Sequence, residues 1–281
     1  MIHTRITVVC ENSVQASLPL IAEHGLSFLI EREDVTLFDT GQGIGLIHNL
    51  TVLEKNIRDI KRIVLSHGHY DHTGGLSEIL QHLDWEIPAF LNPSAFDDKR
   101  ALVDTGGVTV DAPIGMRQSR KEYEESGAVF NMVRGFAPIT RGISALSDVK
   151  RETRWKSWDR RLKVKISGEI TDDPFNDDLS LLIETGSGPV VLLGCAHAGL
   201  VEILDEIAER TGLTEFHAII GGTHLASAPE DYVTQAIETL HRYRVRKIGL
   251  SHCTGFHVAC RFAAEFPDAF VSASVGAVFE F

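Results

Sequence analysis

The chain has 281 residues, with 27 lysines and arginines against 39 aspartates and glutamates, and a formal net charge of −12. This length suits one large domain or two small ones. The acidic balance argues against nonspecific binding to nucleic acid or to an anionic membrane surface. It leaves room for a local basic pocket, because bound dications would offset part of the negative field.

The cysteines and the apolar runs bear on location. No two cysteines form a CxxC pair, so zinc-ribbon and thioredoxin motifs are excluded. Cys10 and Cys195 lie in apolar, strand-like runs, which is typical of small core residues, whereas Cys253 follows His252 and could lie near a metal. We predict no signal peptide before the first strand and no run near the ~20 apolar residues of a membrane helix. A cytoplasmic, reduced protein is expected.

The first third of the chain alternates short apolar strands with helices, which is an α/β pattern. The third predicted strand ends in Asp39-Thr40-Gly41, and the helix after it has apolar residues at helical spacing. The predicted strands are 6–9, 26–30, 35–38, 62–66 and 87–91, and the predicted helices are 44–55 and 76–83.

Directly after the fourth predicted strand, residues 67–72 read HGHYDH. Four metal-binding side chains occupy six positions where a strand ends and a loop begins. His67 and His69 alternate along the chain and can point to one side, whereas Asp71 and His72 lie past the bend. This arrangement suits two metal ions rather than one. Imidazole and carboxylate ligands fit zinc, iron or manganese.

Residues 92–165 differ from their surroundings, because charge is dense and hydrophobic periodicity is weak. We predict an elaboration of loops, a short hairpin or two and one or more helices lying across a site. Trp155 and Trp158, set among arginine and lysine, favour a segment that covers a ligand, although a variable surface insertion is the alternative. The cations that could meet a phosphate there are Arg117, Arg120, Arg134, Arg154 and Lys156.

The second half is regular again. A hairpin is predicted across the turn at 185–189, and helices and strands then alternate to the end of the chain. The predicted strands are 179–184, 190–193, 216–220, 247–250, 269–271 and 277–281, and the predicted helices are 200–210, 229–243 and a last one reaching 266.

Histidines recur where these predicted strands end. Besides the HGHYDH run, His197, His224 and His252 each follow a strand, and Asp39 stands at the end of another. Small residues follow each of them. Strand ends gathered at one edge of a sheet would form a ring of ligands, whereas scattered core histidines should not favour strand termini.

These motifs carry a resemblance. HGHYDH is similar to the HxHxDH motif of the metallo-β-lactamase superfamily, and Asp39-Thr40-Gly41 resembles the strand end that precedes it there. His197 and His252 resemble the third and last histidine motifs. Longer strings resemble the branch that includes the archaeal dihydropterin-ribofuranosylaminobenzene-phosphate synthases and their uncharacterised bacterial relatives. They are LSHGH at 65–69, GEI at 168–170, DLSL at 178–181, GCAHAG at 194–199, GGTHL at 221–225 and HCTG at 252–255.

The resemblance implies an αββα sandwich, a single domain over 1–281, with metals at the edge between the two sheets. It also implies that Asp39 orients a ligand imidazole through its other nitrogen. The implied ligand sets are His67, His69 and His197 for one ion, and Asp71, His72 and His252 for the other.

One departure from the superfamily pattern stands at 221–224, which reads GGTH. Most hydrolases of the superfamily carry a bridging aspartate at this strand end, and no carboxylate is present here. His224 is therefore predicted to act as a ligand, as a substrate contact or in the outer shell. We expect catalytic roles for Asp71, which could accept a proton or fix a hydroxide, and for His224.

The resemblance implies a hydrolase that uses a metal-activated hydroxide on an ester or phosphoester. We expect a small-molecule substrate that could carry a phosphate group. We also expect two divalent metal ions, with zinc preferred over iron or manganese. Two alternatives stay open. One is a pterin-type transferase that joins a pterin methyl diphosphate to an arylamine and releases diphosphate. The other is a non-catalytic metal or ligand sensor, which the missing carboxylate favours.

Overall fold

A computed structural model describes residues 3–14, 17–151 and 158–281. Arg154, Trp155 and Lys156, which the sequence analysis singled out, lie outside the described residues. The strands of the first half are β1 Arg5–Cys10, β2 Ser27–Glu31, β3 Val35–Phe38, β4 Ile60–Val64, β5 Ile87–Leu91, β6 Asp98–Asp104, β7 Thr109–Pro113, β8 Ala128–Met132, β9 Phe136–Thr140 and β10 Ile143–Ser147.

The second half continues in the same manner. Its strands are β11 Leu162–Ile166, β12 Glu169–Asp172, β13 Leu179–Thr185, β14 Gly188–Leu193, β15 Ala218–Gly222, β16 Lys247–Ser251 and β17 Val278–Glu280. The α-helices are α1 Leu46–Val52, α2 Tyr70–Thr73, α3 Leu76–His82, α4 Arg120–Glu125, α5 Leu200–Thr211, α6 Glu230–Arg242 and α7 Phe256–Glu265.

Two large sheets face each other. A seven-stranded sheet has the order β17-β1-β2-β3-β4-β5-β8, and a six-stranded sheet has the order β16-β15-β14-β13-β10-β9. Phe28, Phe38, Leu181, Leu192 and Ile220 are fully buried between them. Strands with both faces covered need apolar residues at successive positions, which explains why they appear in the sequence as short continuous apolar runs.

Helices cover the outer faces. The apolar sides of α1 and α3 bury Leu46, Leu50 and Ile79 against the seven-stranded sheet. On the other side, α5, α6 and α7 bury Leu204 and Phe262, among others, against the six-stranded sheet. The layer order is therefore αββα, as predicted.

The predicted elaboration at 92–165 contains more regular structure than the sequence indicated. β8 forms one edge of the seven-stranded sheet, and β9 and β10 extend the six-stranded sheet beside β13. The remainder, β6 and β7 with β11 and β12, forms a separate four-stranded sheet. The predicted strand at 269–271 is a single bridge from Ile248 to Phe270 instead.

Parallel pairing brings several strand ends to one edge. β3 and β4 are parallel neighbours in one sheet, and β14, β15 and β16 are parallel neighbours in the other. The carboxyl ends of parallel strands point the same way, so the residues that follow them share an edge. No helix within the described ranges is long and apolar enough to span a membrane.

Candidate metal centre

The two sheets approach each other closely where the histidine-bearing loops begin. Gly194 follows β14, and a Cβ atom there would lie 2.2 Å from the Ser66 hydroxyl oxygen, at the end of β4 in the opposite sheet. Only glycine permits this approach. It brings the loop that carries His197 against the loop that carries His67 and His69.

Three buried imidazoles meet at this junction. His67 Nε2 lies 2.9 Å from His69 Nδ1, and the ring of His197 lies 4.8 Å from that of His67 and 5.0 Å from that of His69. One nitrogen from each ring falls within 4.8 Å of the other two. For comparison, two nitrogens bound tetrahedrally to zinc at about 2.05 Å lie about 3.3 Å apart.

These imidazoles are neutral and poorly satisfied. Burial lowers the pKa of His69 to about 4 and lowers those of His67 and His197 well below the usual value. His69 Nε2 and both ring nitrogens of His197 make no hydrogen bond within the described part of the chain. Unpaired buried nitrogens are costly, so convergent lone pairs of this kind fit a bound cation.

Asp71, His72 and His252 form a second triad beside the first. Asp71 Oδ2 lies 3.4 Å from His252 Nε2 and 3.9 Å from His72 Nε2, and the two imidazole nitrogens are 3.3 Å apart. Asp71 sits in the single turn of α2, where the sequence indicated a loop. The second donor set therefore combines a carboxylate with two imidazoles.

Asp39 supports both triads through hydrogen bonds to Ser66 and His72. It follows β3, accepts the Ser66 N–H at 2.7 Å and the Ser66 hydroxyl at 2.7 Å, and accepts His72 Nδ1–H at 2.6 Å. Because the Ser66 hydroxyl donates its only hydrogen to Asp39, its oxygen accepts His67 Nδ1–H at 2.8 Å. His67 and neutral His72 thus both present a lone pair at Nε2, as a metal ligand requires.

The second triad favours positive charge. Burial opposes the charged form of His72, but Asp39 and Asp71 outweigh it and raise the pKa of His72 to about 9. Burial would likewise raise the pKa of Asp71, yet the neighbouring His72, His24 and His252 lower it well below its usual value. Such a site stabilises a cation among its donors, which is the property a metal site needs.

Sequence reasoning did not identify Asn12 and His24. Asn12 Oδ1 accepts His252 Nδ1–H at 2.8 Å and the Gly25 N–H at 3.4 Å, and its amide nitrogen lies 3.3 Å from His24 Nδ1. The Gly25 N–H can only donate, so the amide orientation is set. His252 therefore presents a lone pair at Nε2, and the exposed His24 directs Nε2 toward Asp71 Oδ2 at 3.2 Å.

A pair of consecutive aspartates supports the first triad. Asp177 accepts the Gly68 N–H at 2.8 Å and is held by the buried Lys99 ammonium at 2.7 Å. Asp178 accepts the His197 N–H at 3.1 Å and the Ala198 N–H at 3.2 Å, and burial raises the pKa of Asp178 to about 7. The DLSL string at 178–181 was the only sequence signal for this support.

His224 is not among the donor groups that the described residues bring within metal-binding distance. Its ring lies 4.5 Å from that of His197, and its Nε2 lies 3.3 Å from Asp159 Oδ2. Burial opposes the charged form, but Asp159 and Cys253 outweigh it and raise the pKa of His224 to about 9. His224 therefore stands beside the first triad as a cation.

The strand ends at this edge are strained. Asp39, Ala196, His224 and His252 have φ angles of 59°, 52°, 49° and 52°, in the left-handed region that residues with a Cβ rarely adopt. Each such residue costs about 1–2 kcal/mol, and strain of this kind concentrates at functional sites. Four of the ten such residues in the described part of the chain thus lie at this edge.

A cavity of about 1130 Å³ opens beside His197. Phe175 stacks on the His197 ring at 4.3 Å and also lines the cavity. The cations on its wall are Arg134, Lys150, Arg151, Arg160 and Lys163. Of the cations predicted to meet a phosphate, Arg134 is among them, whereas Arg117 and Arg120 line a separate cavity next to Tyr70.

Comparison with known proteins relates the chain to the metallo-β-lactamase fold. The family model described as the metallo-β-lactamase superfamily matches residues 21–93, which include HGHYDH. The 7,8-dihydropterin-6-methyl-4-(β-D-ribofuranosyl)-aminobenzene-5′-phosphate synthase of Methanocaldococcus jannaschii is 29% identical over 289 residues, covering 99% of this chain and 97% of that protein. The chain has the metallo-β-lactamase fold. This fold implies binding of divalent metal.

Two further proteins match over most of their length. The structure of Tm1679, described as a metal-dependent hydrolase of the β-lactamase superfamily, is 27% identical, with a TM-score of 0.82 over 99% of both chains. An uncharacterized protein of M. jannaschii, MJ0448, is 28% identical over 89% of this chain and 91% of its own. The relatives thus include both a hydrolase and a synthase.

Proposed function

We propose that the protein is a metal-dependent hydrolase of the metallo-β-lactamase superfamily that acts on an ester or phosphoester of a small anionic molecule. The observation that carries the proposal is the meeting of two donor triads at one sheet edge, beside a cavity walled by cations. The residues assigned to one ion are His67, His69 and His197, and those assigned to the other are Asp71, His72 and His252.

The donor chemistry suits two divalent ions, of which zinc fits best because imidazole, carboxylate and thiol groups are all close by. When bound, such ions polarise an electrophile and lower the pKa of water toward neutrality. Asp39, Ser66 and Asn12 fix the ring orientations on which binding depends. The unpaired nitrogens of the first triad support this assignment.

Asp71 and His224 are assigned the proton-handling roles. Asp71 Oδ2 lies among three imidazoles, which keep it ionised and able to accept a proton or a hydrogen bond. His224, kept cationic by Asp159, lies beside His197 and can donate a proton to a leaving group. A base and an acid at one site suit hydrolysis, because water loses a proton and the leaving group gains one.

The substrate is proposed to be phosphorylated. Among the cavity cations, Arg134 faces Asp148 at 3.3 Å and Lys163 faces Asp172, whereas Lys150 and Arg160 have no carboxylate partner within the described part of the chain. Excess positive charge at the rim attracts an anion, and guanidinium groups match phosphate geometry. We also propose that the protein is cytoplasmic and does not bind nucleic acid.

A pterin-type transferase is the second candidate. The observation that favours it is similarity over 99% of the chain to the M. jannaschii synthase. The two candidates differ in the product, because hydrolysis places an oxygen from water in the product, whereas the transferase forms a new C–N bond. Reactions run in ¹⁸O-labelled water and analysed by mass spectrometry separate them.

The decisive experiment joins metal analysis to a turnover assay. We expect purified protein to contain up to two transition-metal ions per chain and to hydrolyse bis(p-nitrophenyl) phosphate. Chelator and His69→Ala should abolish turnover, and His82→Ala, in an exposed histidine on α3, should not. A protein that binds no transition metal would contradict the proposal. Full occupancy without turnover on any ester, phosphodiester or pterin substrate would favour a sensor.

A further inference from the structure

The strand end that carries a bridging carboxylate in related hydrolases has no space for one here. A Cβ at Gly222 would lie 2.4 Å from the Gly194 carbonyl oxygen and 2.8 Å from the Cys253 sulfur. Thr223 is buried with its hydroxyl 2.9 Å from that of Thr254, and His224 turns toward Asp159. Residues 221–224 therefore supply no anionic donor.

A thiol occupies the space between the triads instead. Cys195 is only 3% exposed, and its Sγ lies 3.2 Å from His72 Nε2. Cys195 Sγ and single ring nitrogens of His67 and His72 all fall within 4.8 Å of one another, and Cys195 Sγ groups in the same way with His252 and the Cys253 sulfur. The thiol thus contacts a donor of the second triad and lies within 4.8 Å of a donor of the first.

We propose that Cys195, as a thiolate, is the anionic donor that completes the second ion's coordination. This inference rests on the metal site of the proposed function. With Asp71, His72 and His252 the sulfur gives four donors, and four of the six distances among them are 3.2, 3.3, 3.4 and 3.9 Å. In a tetrahedral zinc site, nitrogens lie about 3.3 Å apart and nitrogen and sulfur about 3.6 Å.

The neighbouring thiol is differently engaged. Cys253 Sγ accepts the His224 N–H at 3.1 Å and approaches the Cys195 carbonyl oxygen at 3.8 Å. It fills the space beside Gly222, whereas Cys195 points to a ligand nitrogen. When an ion binds, the Cys195 S–H bond breaks, the electron pair stays on sulfur and forms the metal–sulfur bond, and the proton passes to solvent.

Cobalt titration tests this assignment without relying on activity. Metal-free protein is titrated with Co²⁺, and ultraviolet–visible absorption is recorded together with the number of ions bound. A thiolate ligand produces a sulfur-to-cobalt charge-transfer band that imidazole and carboxylate do not produce. We expect this band to grow as one of the two equivalents of Co²⁺ binds. Cys195→Ser should remove the band and lower the affinity for that Co²⁺ ion by at least about tenfold.

The matched controls are the other thiols. Cys253→Ser and the exposed Cys260→Ser should keep the band. Two ions bound to wild-type protein without the band would overturn the inference and leave the proposed function standing, and this result does not depend on any variant folding. A band that survives Cys195→Ser or disappears with Cys253→Ser would also overturn it. A protein that binds no ion at all would remove both proposals.

Discussion

The two triads lie side by side, yet each combines its donors differently. The first triad consists of His67, His69 and His197, three neutral imidazoles whose pKa values burial lowers. The second adds the Asp71 carboxylate, and the carboxylates of Asp39 and Asp71 raise the pKa of His72 to about 9. Burial determines the pKa values of the first triad, whereas neighbouring carboxylates determine that of His72 in the second.

This difference affects how each site is prepared for an ion. In the first triad, buried nitrogens lack partners, so a cation relieves an existing cost. In the second, each donor already has a proton or an ion-pair partner, and a cation must replace these contacts. The two sites should therefore respond to different changes: the first to loss of a nitrogen, and the second to protons and to loss of charge.

Loss of a nitrogen from the first triad should have the largest effect. His69→Ala leaves two ligands, so we expect the affinity of the first ion and the rate of turnover to fall by more than about 100-fold, beyond the range typical of supporting residues. Metal content by mass spectrometry and hydrolysis of bis(p-nitrophenyl) phosphate measure both effects. Unchanged metal content in His69→Ala beside His82→Ala would show that the triad does not hold an ion.

Acidity should separate the two sites. Below about pH 9 His72 carries a proton that an ion must displace, so this proton alone should make the affinity of the second ion rise about tenfold per pH unit from pH 7 to about 9, and release of the Cys195 proton should add a further factor of about ten per unit. The first triad should show no such slope above pH 5, because the pKa of His69 is about 4 and those of His67 and His197 are also lowered. Competition with a chelator at several pH values measures both affinities, and equal slopes would break the comparison.

Removal of the Asp39 charge should weaken the second site more than the first. Asp39→Asn retains an oxygen near His72 but loses the negative charge that holds its proton. We expect the second ion to bind about 10- to 100-fold more weakly and its pH slope to flatten, while the first ion is retained. The same chelator competition measures this effect. Equal weakening of both ions would mean that Asp39 supports the whole edge through Ser66.

Sequence alone predicted the parts of this arrangement that depend on local pattern. β3 and β5 have the predicted bounds, because short, mostly apolar runs ended by turn residues specify buried strands. The HGHYDH run and the histidine-bearing strand ends predicted a ring of donors at one sheet edge, and the superfamily resemblance implied its division into the two triads. The prediction of ligand roles for these residues awaits the metal measurements above.

Partners distant in sequence were not predictable in this way. Asn12 lies 240 positions from His252, and Asp177 lies 109 positions from Gly68, so no local pattern links them. β9, which contains Pro138, is a strand because β10 pairs with it, and tertiary pairing outweighed its weak propensity. Such contacts depend on the fold that brings them together.

The smallest effect should come from the cavity rim, which lies beside His197 and so touches only the first triad. Arg160 is exposed, and an exposed ion pair is worth under about 1 kcal/mol. Arg160→Gln should therefore weaken inhibition by inorganic diphosphate by about two- to fivefold and leave the affinities of both ions unchanged. Arg117→Gln, in the separate cavity next to Tyr70, is the matched control. If Arg117→Gln weakened inhibition and Arg160→Gln did not, the anion would enter beside the second triad instead.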